Sequence, residues 1–233
     1  MPPTIRRRFV PRACLALTAV MAVAACSSDR GDLTAPSLGG SDDSAPALGT
    51  GGDVPGDGDI ESVAMVGDSI TVASEAPLQN GFRDLDLDVQ AIDAASGRRI
   101  TADGGAGTSG VDAVVALAPS QPDLWVIALG SNDVSQYDGE EAYRNEIAAL
   151  LNALPPDAPV VWVDTYLTED PERSDEFNRA LRDTLAFRGT ASMADWANVA
   201  GGEGMLSDGI HPSEEGARQF ADVVMSAVEP WLG

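Results

Sequence analysis

The sequence predicts an α/β domain with a mostly parallel sheet of about five strands. Three observations carry this prediction: short unbroken apolar runs, segments of helical periodicity between them, and the continuation of this alternation over residues 60–233. Unbroken runs, unlike alternating ones, are typical of strands buried on both faces, as in a parallel sheet. Strands and helices in alternation favour one sheet covered by helices.

The expected strands follow one another along this domain. The first is Val63–Val66, and the two clearest later ones are Leu124–Leu129 (LWVIAL) and Val160–Val163 (VVWV). Weaker strands are expected around Leu87–Ile92 and Ala191–Asp195. These five segments supply the predicted sheet.

Three segments have the periodicity of amphipathic helices. The segment 139–154 places five apolar side chains on one face, and the segment 213–228 places four at the spacing i, i+3, i+4, i+7. The segment 174–187 is expected to begin at Ser174 as its N-cap, because Asp175 and Glu176 then lie in the first turn.

Residues 1–25 have the layout of a secretory signal peptide. A basic start with four arginines is followed by the apolar run CLALTAVMAVAA, which is too short to span a bilayer as a helix. The segment that ends in Ala25 and Cys26 resembles the lipobox of bacterial lipoproteins, in which the cysteine is lipidated after cleavage. The resemblance implies an exported protein, anchored by Cys26 at the extracytoplasmic face of the membrane. An ordinary secretory signal with an incidental cysteine is the alternative.

Residues 26–59 are expected to form a disordered tether. Beyond Cys26, Gly, Asp, Ser and Pro dominate this stretch and aromatic residues are absent, so it cannot bury enough apolar surface to offset the entropy of ordering. Cys14 lies inside the signal, so the mature chain keeps only Cys26 and forms no internal disulfide. The domain at 60–233 must therefore be stabilised by its core.

The charge balance argues against two classes of partner. The chain has 14 basic and 37 acidic side chains and a formal net charge of −23. Sequence-independent binding to nucleic acid depends on basic contacts to phosphate, and adsorption to an anionic membrane depends on basic patches. We therefore expect no nucleic-acid partner, and contact with the membrane only through the N-terminal lipid.

Polar residues that could carry chemistry follow the expected strands. Ser69 follows the first strand in VGDSIT, Asn132 follows the central strand in LGSNDV, and Asp208 and His211 precede the last helix in SDGIHPS. Ligands of open α/β sheets bind at the carboxyl ends of the strands, so these segments are expected to converge there. His211 is the only histidine, and hence the only imidazole that could activate Ser69. Asp208 is suitably placed to orient it, and Asn132 could stabilise an oxyanion.

The segments GDSI, GSND and DGIHP resemble blocks I, III and V of the SGNH, or GDSL-type, hydrolases, in the same order and spacing. The resemblance covers residues 60–233 and implies a three-layer α/β/α flavodoxin-like fold. It implies a catalytic triad of Ser69, Asp208 and His211, with an oxyanion hole formed by Ser69, Asn132 and a glycine of block II. Gly97 in DAASGRR is the candidate for that glycine, although Gly104, Gly105 and Gly107 follow closely.

The expected activity is that of a serine esterase without a cofactor, which acts as a monomer on a small-molecule or carbohydrate acyl ester. The segments VVWVDTY and MADWA also resemble SGNH domains found with membrane acyltransferases that act on envelope polysaccharides. This favours a short acyl group on a cell-envelope or extracellular carbohydrate. An O-acyltransferase with the same triad, a metal-dependent phosphoesterase and a non-catalytic carbohydrate-binding domain are the alternatives.

Several neighbouring residues have two interpretations each. Asp68 and Asp133 are either metal ligands, with Asp208 and His211, or acceptors of turn and backbone hydrogen bonds; the second is favoured because the spacing matches no known metal site. Arg98 and Arg99 either contact an anionic substrate or are solvated. Trp125 and Trp162 are expected in the core, and Trp196 either in the core or in the wall of a pocket.

Overall fold

A computed structural model describes residues 60–233 of the chain. These residues form one five-stranded sheet in which every neighbouring pair is parallel. The strands are β1 (Ser62–Gly67), β2 (Asp88–Ala94), β3 (Leu124–Ala128), β4 (Val160–Val163) and β5 (Ala191–Ala194), in the spatial order β2-β1-β3-β4-β5. This is the strand order of flavodoxin-like folds. All five predicted strands are confirmed, with small changes at their ends.

Helices cover both faces of the sheet. They are α1 (Ser69–Ala73), α2 (Glu75–Asp84), α3 (Gly110–Leu117), α4 (Glu140–Ala153), α5 (Pro171–Ala186), α6 (Ala197–Ala200) and α7 (Glu214–Val228). One core lies between the sheet and helices α3, α4 and α5, and the other between the sheet and helices α1, α2, α6 and α7. The three-layer α/β/α arrangement is therefore confirmed.

The burial of β1 explains why its sequence is an unbroken apolar run. Ala64 and Val66 belong to the first core, whereas Val63 and Met65 belong to the second, and all four are fully buried. Successive side chains of a strand point to opposite faces, so a strand covered on both faces must be apolar at every position. The edge strand β2 is only partly buried, which accounts for its weaker pattern.

The start of α5 differs from the prediction. The helix begins at Pro171, and its N-cap is Asp170, whose side chain accepts a hydrogen bond from the Arg173 N–H at 3.2 Å. Ser174 lies one turn inside the helix and is buried, and its hydroxyl donates to the carbonyl of Asp170 at 2.9 Å. Proline at the first helical position and aspartate before it are an established start signal, and they take precedence over Ser174.

The predictions for the N-terminal part of the chain lie outside the described residues. These are the signal peptide at 1–25, the lipidation of Cys26 and the tether at 26–59. Within residues 60–233, no helix combines the length and the apolar character that crossing a bilayer requires.

Candidate active site

Ser69 lies at the sharp turn between β1 and α1. β1 ends at Gly67, Asp68 caps α1 by accepting a hydrogen bond from the Ile70 N–H at 2.9 Å, and Ser69 is the first helical residue. A Cβ atom at Gly67 would lie 2.0 Å from the side chain of Thr71, so the turn requires glycine there. The hydroxyl of Ser69 is thus held at the carboxyl edge of the sheet.

The loop before α7 brings His211 to Ser69. Nε2 of His211 lies 2.9 Å from Oγ of Ser69, although the two residues are 142 positions apart. Nδ1 of His211 lies 2.7 Å from Oδ2 of Asp208. The other carboxylate oxygen, Oδ1, accepts hydrogen bonds from the N–H groups of Ile210 and His211 at 3.1 and 2.8 Å. The structure therefore brings Ser69, His211 and Asp208 into one hydrogen-bonded row.

The charge of Asp208 defines the roles of the two imidazole nitrogens. Hydrogen bonds from the backbone and side chain of His211, and from the backbone of Ile210, lower the pKa of Asp208 to about 2. An ionised carboxylate can only accept hydrogen bonds, so Nδ1 of His211 carries the proton that faces it. Nε2 is then free to accept the hydroxyl proton of Ser69. The side chains of His211 and Asp208 are 41% and 55% exposed, so the row is open to solvent.

Asn132 is joined to the Ser69 turn through Asp68. Oδ2 of Asp68 accepts hydrogen bonds from Oγ of Ser131 at 2.5 Å and from Nδ2 of Asn132 at 3.3 Å. Nδ2 of Asn132 also donates to the carbonyl of Arg98 at 3.1 Å. Burial raises the pKa of Asp68, and the hydrogen bond from Ser131 opposes this shift. The Asx-type interpretation of Asp68 is confirmed, but its contact with Ser131 was not foreseen.

Arg98 ties residues 95–109, the loop between β2 and α3 that contains Gly97 and is called here the block II loop, to two strands. Both sequence-based interpretations of Arg98 are wrong. Its side chain is 3% exposed. The guanidinium donates to the carbonyls of Gly67 and Asp93 at 3.3 and 2.6 Å, to Oδ1 of Asp93 at 2.8 Å and to Oγ1 of Thr108 at 3.1 Å. The preceding residue, Gly97, has φ +79°, a conformation that favours glycine. Arg98 therefore holds Gly97 beside the end of β1.

Asp133 and Arg99 form a second link between the block II loop and the turn after β3. Asp133 is fully buried, and it accepts hydrogen bonds from the Ile100 N–H at 3.2 Å and from Nε of Arg99 at 3.4 Å. Burial raises the pKa of Asp133 to about 7, while the N–H of Ile100 and the charge of Arg99 oppose the shift. Arg99 also lies over the ring of Tyr137, at 5.2 Å from its centroid, and is thus not simply solvated.

The remaining predictions concern metal ligands and tryptophans. Among the side chains of residues 60–233, no three from His, Cys, Asp and Glu are grouped so that they could hold a metal ion. Trp125 and Trp162 are buried in the core, as expected. Trp196 is also fully buried, with its ring edge-on to Phe220 at 5.2 Å, so the pocket-wall interpretation is wrong.

The geometry agrees with a sequence comparison against family models. Residues 65–219, more than half of the chain, match the model of the GDSL-like lipase/acylhydrolase family. The chain belongs to this family. This GDSL-like protein is accordingly an enzyme of the carboxylic ester hydrolase class. No curated protein sequence matches it.

Solved structures resemble this GDSL-like domain in fold. The structure of TesA is 24% identical and has a TM-score of 0.62, with 74% of this chain and 100% of that chain covered. The C-terminal catalytic domain of peptidoglycan O-acetyltransferase A from Streptococcus pneumoniae is 18% identical, with a TM-score of 0.59 and 75% and 96% covered. The psychrotrophic esterase EstA from a Pseudoalteromonas species is 18% identical, with a TM-score of 0.56 and 74% and 98% covered. At these identities the likeness concerns the fold.

Proposed function

We propose that the protein is a serine esterase that hydrolyses O-acyl esters through an acyl-enzyme on Ser69. The observation that carries the proposal is the 2.9 Å contact between Nε2 of His211 and Oγ of Ser69, with Asp208 on the other ring nitrogen. A serine hydroxyl is a weak nucleophile unless an adjacent base takes its proton. In this arrangement His211 is the base, and Asp208 orients it and stabilises the imidazolium that forms.

The acylation step begins when Oγ of Ser69 attacks the carbonyl carbon of the ester and its proton passes to Nε2 of His211. The tetrahedral intermediate collapses, the bond to the alcohol oxygen breaks, and His211 returns the proton to that oxygen. Water then attacks the acyl-enzyme with His211 again as base. The carboxylic acid leaves, and Ser69 regains its proton.

The oxyanion of each intermediate would be stabilised by the N–H groups of Ser69 and Gly97 and by Nδ2 of Asn132. Two contacts support this set. Asn132 donates one N–H to the carbonyl of Arg98, directly beside Gly97. Its second N–H makes only a long contact of 3.3 Å with Asp68, directly beside Ser69, and this is the N–H that would serve the oxyanion. Donors fixed in advance stabilise developing charge without reorganisation, and each is typically worth a factor of about 10²–10³ in kcat.

The proposed substrate is a short acyl ester, such as an acetyl group, on a cell-envelope or extracellular carbohydrate. The lipoprotein-type N-terminus supports this class, because it would hold the enzyme at the extracytoplasmic face through Cys26. Cys26→Ala should release the protein from the membrane fraction into the medium or periplasm. Membrane retention of that variant at the wild-type level would contradict the lipid anchor and leave the esterase proposal intact.

An O-acyltransferase that uses the same residues is the second candidate. The segments VVWVDTY and MADWA, which resemble SGNH domains of envelope acyltransferase systems, favour it. The solvent exposure of Asp208 and His211 favours water as the acceptor, because a transferase must keep water from the acyl-enzyme. Release of free acetate, against its appearance on an added glycan, separates the two reactions.

Hydrolysis of p-nitrophenyl acetate by residues 60–233 tests the esterase proposal. We expect activity in the wild type, loss of it in Ser69→Ala, and inactivation by a serine-directed phosphonate. Ser74→Ala is the matched control, because Ser74 lies between α1 and α2 and its side chain makes no hydrogen bond to any described residue. Full activity in Ser69→Ala would disprove the serine mechanism, and loss with EDTA but not with phosphonate would favour a metal-dependent reaction.

A further inference from the structure

A polar groove of about 520 Å³ lies beside the ends of β4 and β5. Its walls come from the residues after these two strands, from the outer side of α5 and from the start of α6. Every lining residue carries a polar or charged side chain except Ala197. The lining includes Asp164, Tyr166, Arg182, Asp195 and Asn198. We call this feature the β4–β5 groove.

The floor of the groove holds a carboxyl group that is almost fully buried. Asp164 is 6% exposed, and its Oδ1 accepts a hydrogen bond from the Ala197 N–H at 2.7 Å. No side chain in residues 60–233 donates a hydrogen bond to it. Its protein donors are backbone N–H groups of Ala197 and Trp196. Burying a carboxyl group without full hydrogen bonding is costly, so a ligand hydroxyl group that donates to Asp164 would be favourable.

The groove lies at the same edge of the sheet as the proposed active site. Asp164 directly follows β4, just as Ser69 and Asn132 follow β1 and β3 at the carboxyl ends of their strands. Asp164 also lines a small cavity together with Asp68 and Ile70, the two residues that flank Ser69. In open α/β sheets, ligands bind along this edge.

The backbone connects the groove to the histidine loop. The segment after β4 contributes Tyr166 to the groove wall. Two residues further on, the Thr168 N–H donates to the carbonyl of Gly209 at 2.9 Å. Gly209 lies between Asp208 and His211, so the segment that contributes Tyr166 to the groove is hydrogen-bonded to the loop that carries the histidine.

The groove offers donors and acceptors of both charge signs. Arg182 and Asn198 can donate, Asp164 and Asp195 can accept, and Tyr166 presents a half-buried ring. The side chains of Arg182 and Asn198 make no hydrogen bond to any residue that the structure describes, whereas the other arginine of the groove, Arg179, pairs with Glu140. Since carboxylates and guanidinium groups are mixed, neither a polyanion nor a polycation is favoured. A neutral ligand with many hydroxyl groups satisfies both kinds of partner.

We propose that the β4–β5 groove binds a sugar residue of the carbohydrate that carries the ester cleaved at Ser69. Hydroxyl groups of the sugar would donate to Asp164 and accept from Arg182 and Asn198, and the ring of Tyr166 would cover one sugar face. The inference rests on the proposed esterase function for the position of the ester. It adds the site that selects a glycan over a simple ester.

Paired kinetics on two substrates test the proposal. The probes are chemically O-acetylated xylo-, cello- and chito-oligosaccharides, with p-nitrophenyl acetate as the simple ester. In Arg182→Ala and Asn198→Ala, we expect kcat/KM for the best oligosaccharide, divided by that for p-nitrophenyl acetate, to fall about tenfold, mostly through KM. Arg83→Ala is the matched control, because Arg83 is exposed on α2, and the ratio should stay at the wild-type value.

Two outcomes would overturn the groove proposal and leave the esterase proposal standing. One is a ratio that stays within about twofold of the wild-type value in both groove variants. The other is a wild type that hydrolyses p-nitrophenyl acetate but none of the three acetylated oligosaccharides. A protein that hydrolyses neither kind of ester disproves the esterase proposal instead.

A binding measurement tests sugar binding in the groove independently of catalysis. In Ser69→Ala, unacetylated xylo-, cello- and chito-oligosaccharides are titrated while the side-chain amide resonances of Asn198 and the backbone amide of Ala197 are followed by NMR. We expect saturable shifts for at least one sugar, and their loss in the double variant Ser69→Ala, Arg182→Ala. Absence of shifts for all three sugars would contradict the proposal.

Discussion

Oγ of Ser131 donates a hydrogen bond of 2.5 Å to Oδ2 of Asp68, across 63 positions of sequence. Asp68 also accepts hydrogen bonds from the Ile70 N–H and from Nδ2 of Asn132. One buried carboxyl group thus joins the turn that carries the proposed nucleophile to the turn that carries the proposed oxyanion donor. The two turns follow adjacent strands, β1 and β3, so they lie at the same edge of the sheet. The distance between Ser69 and Asn132 is held through this carboxyl group.

Asp68→Asn should therefore lower kcat and leave KM nearly unchanged. In the variant, the side-chain oxygen at position 68 can still accept the hydrogen bond from the Ile70 N–H. The new side-chain NH2 group then faces Oγ of Ser131 and Nδ2 of Asn132, which both donate in the wild type, and it displaces Asn132. Loss of an oxyanion donor costs about 10²–10³ in kcat, and we expect about 10–100-fold for a displaced one. The measurement is steady-state hydrolysis of p-nitrophenyl acetate. Asp84→Asn, an exposed aspartate of α2, is the control, and an unchanged kcat in Asp68→Asn would contradict the positioning role.

Asp208→Asn should lower kcat by about 10³–10⁴ while the fold is retained, as expected when a triad imidazole loses its orienting carboxylate. An asparagine oxygen can still accept the hydrogen bonds from the N–H groups of Ile210 and His211, and these two hydrogen bonds fix the shape of the loop. The amide cannot stabilise an imidazolium as a carboxylate does. Kinetics and a thermal unfolding midpoint are measured together. Wild-type kcat with an unchanged midpoint would exclude Asp208 from the mechanism.

Arg98→Met should destabilise the protein by about 2–4 kcal/mol. The substitution keeps the apolar stem but removes the guanidinium donors to the partly exposed carboxylate and to the backbone carbonyl of Asp93. It also removes one of the two donors to the Gly67 carbonyl, which keeps the Ala95 N–H. Breaking a buried pair costs about 3–5 kcal/mol, and the partial exposure of Asp93 reduces this figure. Urea unfolding measures the change. Arg83→Met should stay within about 0.5 kcal/mol of the wild type, and an equal effect of the two substitutions would refute the structural role of Arg98.

Asp164→Asn should change how stability depends on pH. Burial raises the pKa of Asp164 to about 7, the charge of Asp195 adds to the shift, and the Ala197 N–H and Arg182 oppose it. Between the unfolded pKa of 3.8 and about 7, the folded wild type holds a proton that the unfolded chain has lost. The wild type therefore loses stability as pH rises through this window, and the loss is complete above pH 7.

An asparagine side chain at this position does not titrate, so the variant should gain stability relative to the wild type between about pH 4 and about pH 7.5. One pKa unit corresponds to about 1.4 kcal/mol, which gives a relative gain of about 2–4 kcal/mol. The free energy of unfolding in urea is compared at the two pH values. A difference between variant and wild type that does not depend on pH would contradict the raised pKa of Asp164.

The amino-acid sequence alone determined the sheet and the row of Ser69, His211 and Asp208. Buried parallel strands must be apolar at every position, so Val160–Val163 was predicted at its observed bounds. Residues that follow parallel strands meet at one edge of the sheet, so the sequence predicts that Ser69 and Asn132 lie close together. Asp208 and His211 are three positions apart in one loop, and that short spacing is visible in the sequence.

Only the tertiary structure decided what Arg98, Asp164 and Trp196 do. An arginine in a glycine-rich loop has the local pattern of a solvated residue. Its burial depends on contacts with Asp93 and Thr108 and with the carbonyl of Gly67, 31 positions away at the end of β1. Asp164 is a buried carboxyl group because α5 and α6 close around the end of β4. Periodicity is a local property that the chain carries residue by residue. Burial of a polar group depends on which distant segments pack over it, and single positions in a sequence do not encode those partners.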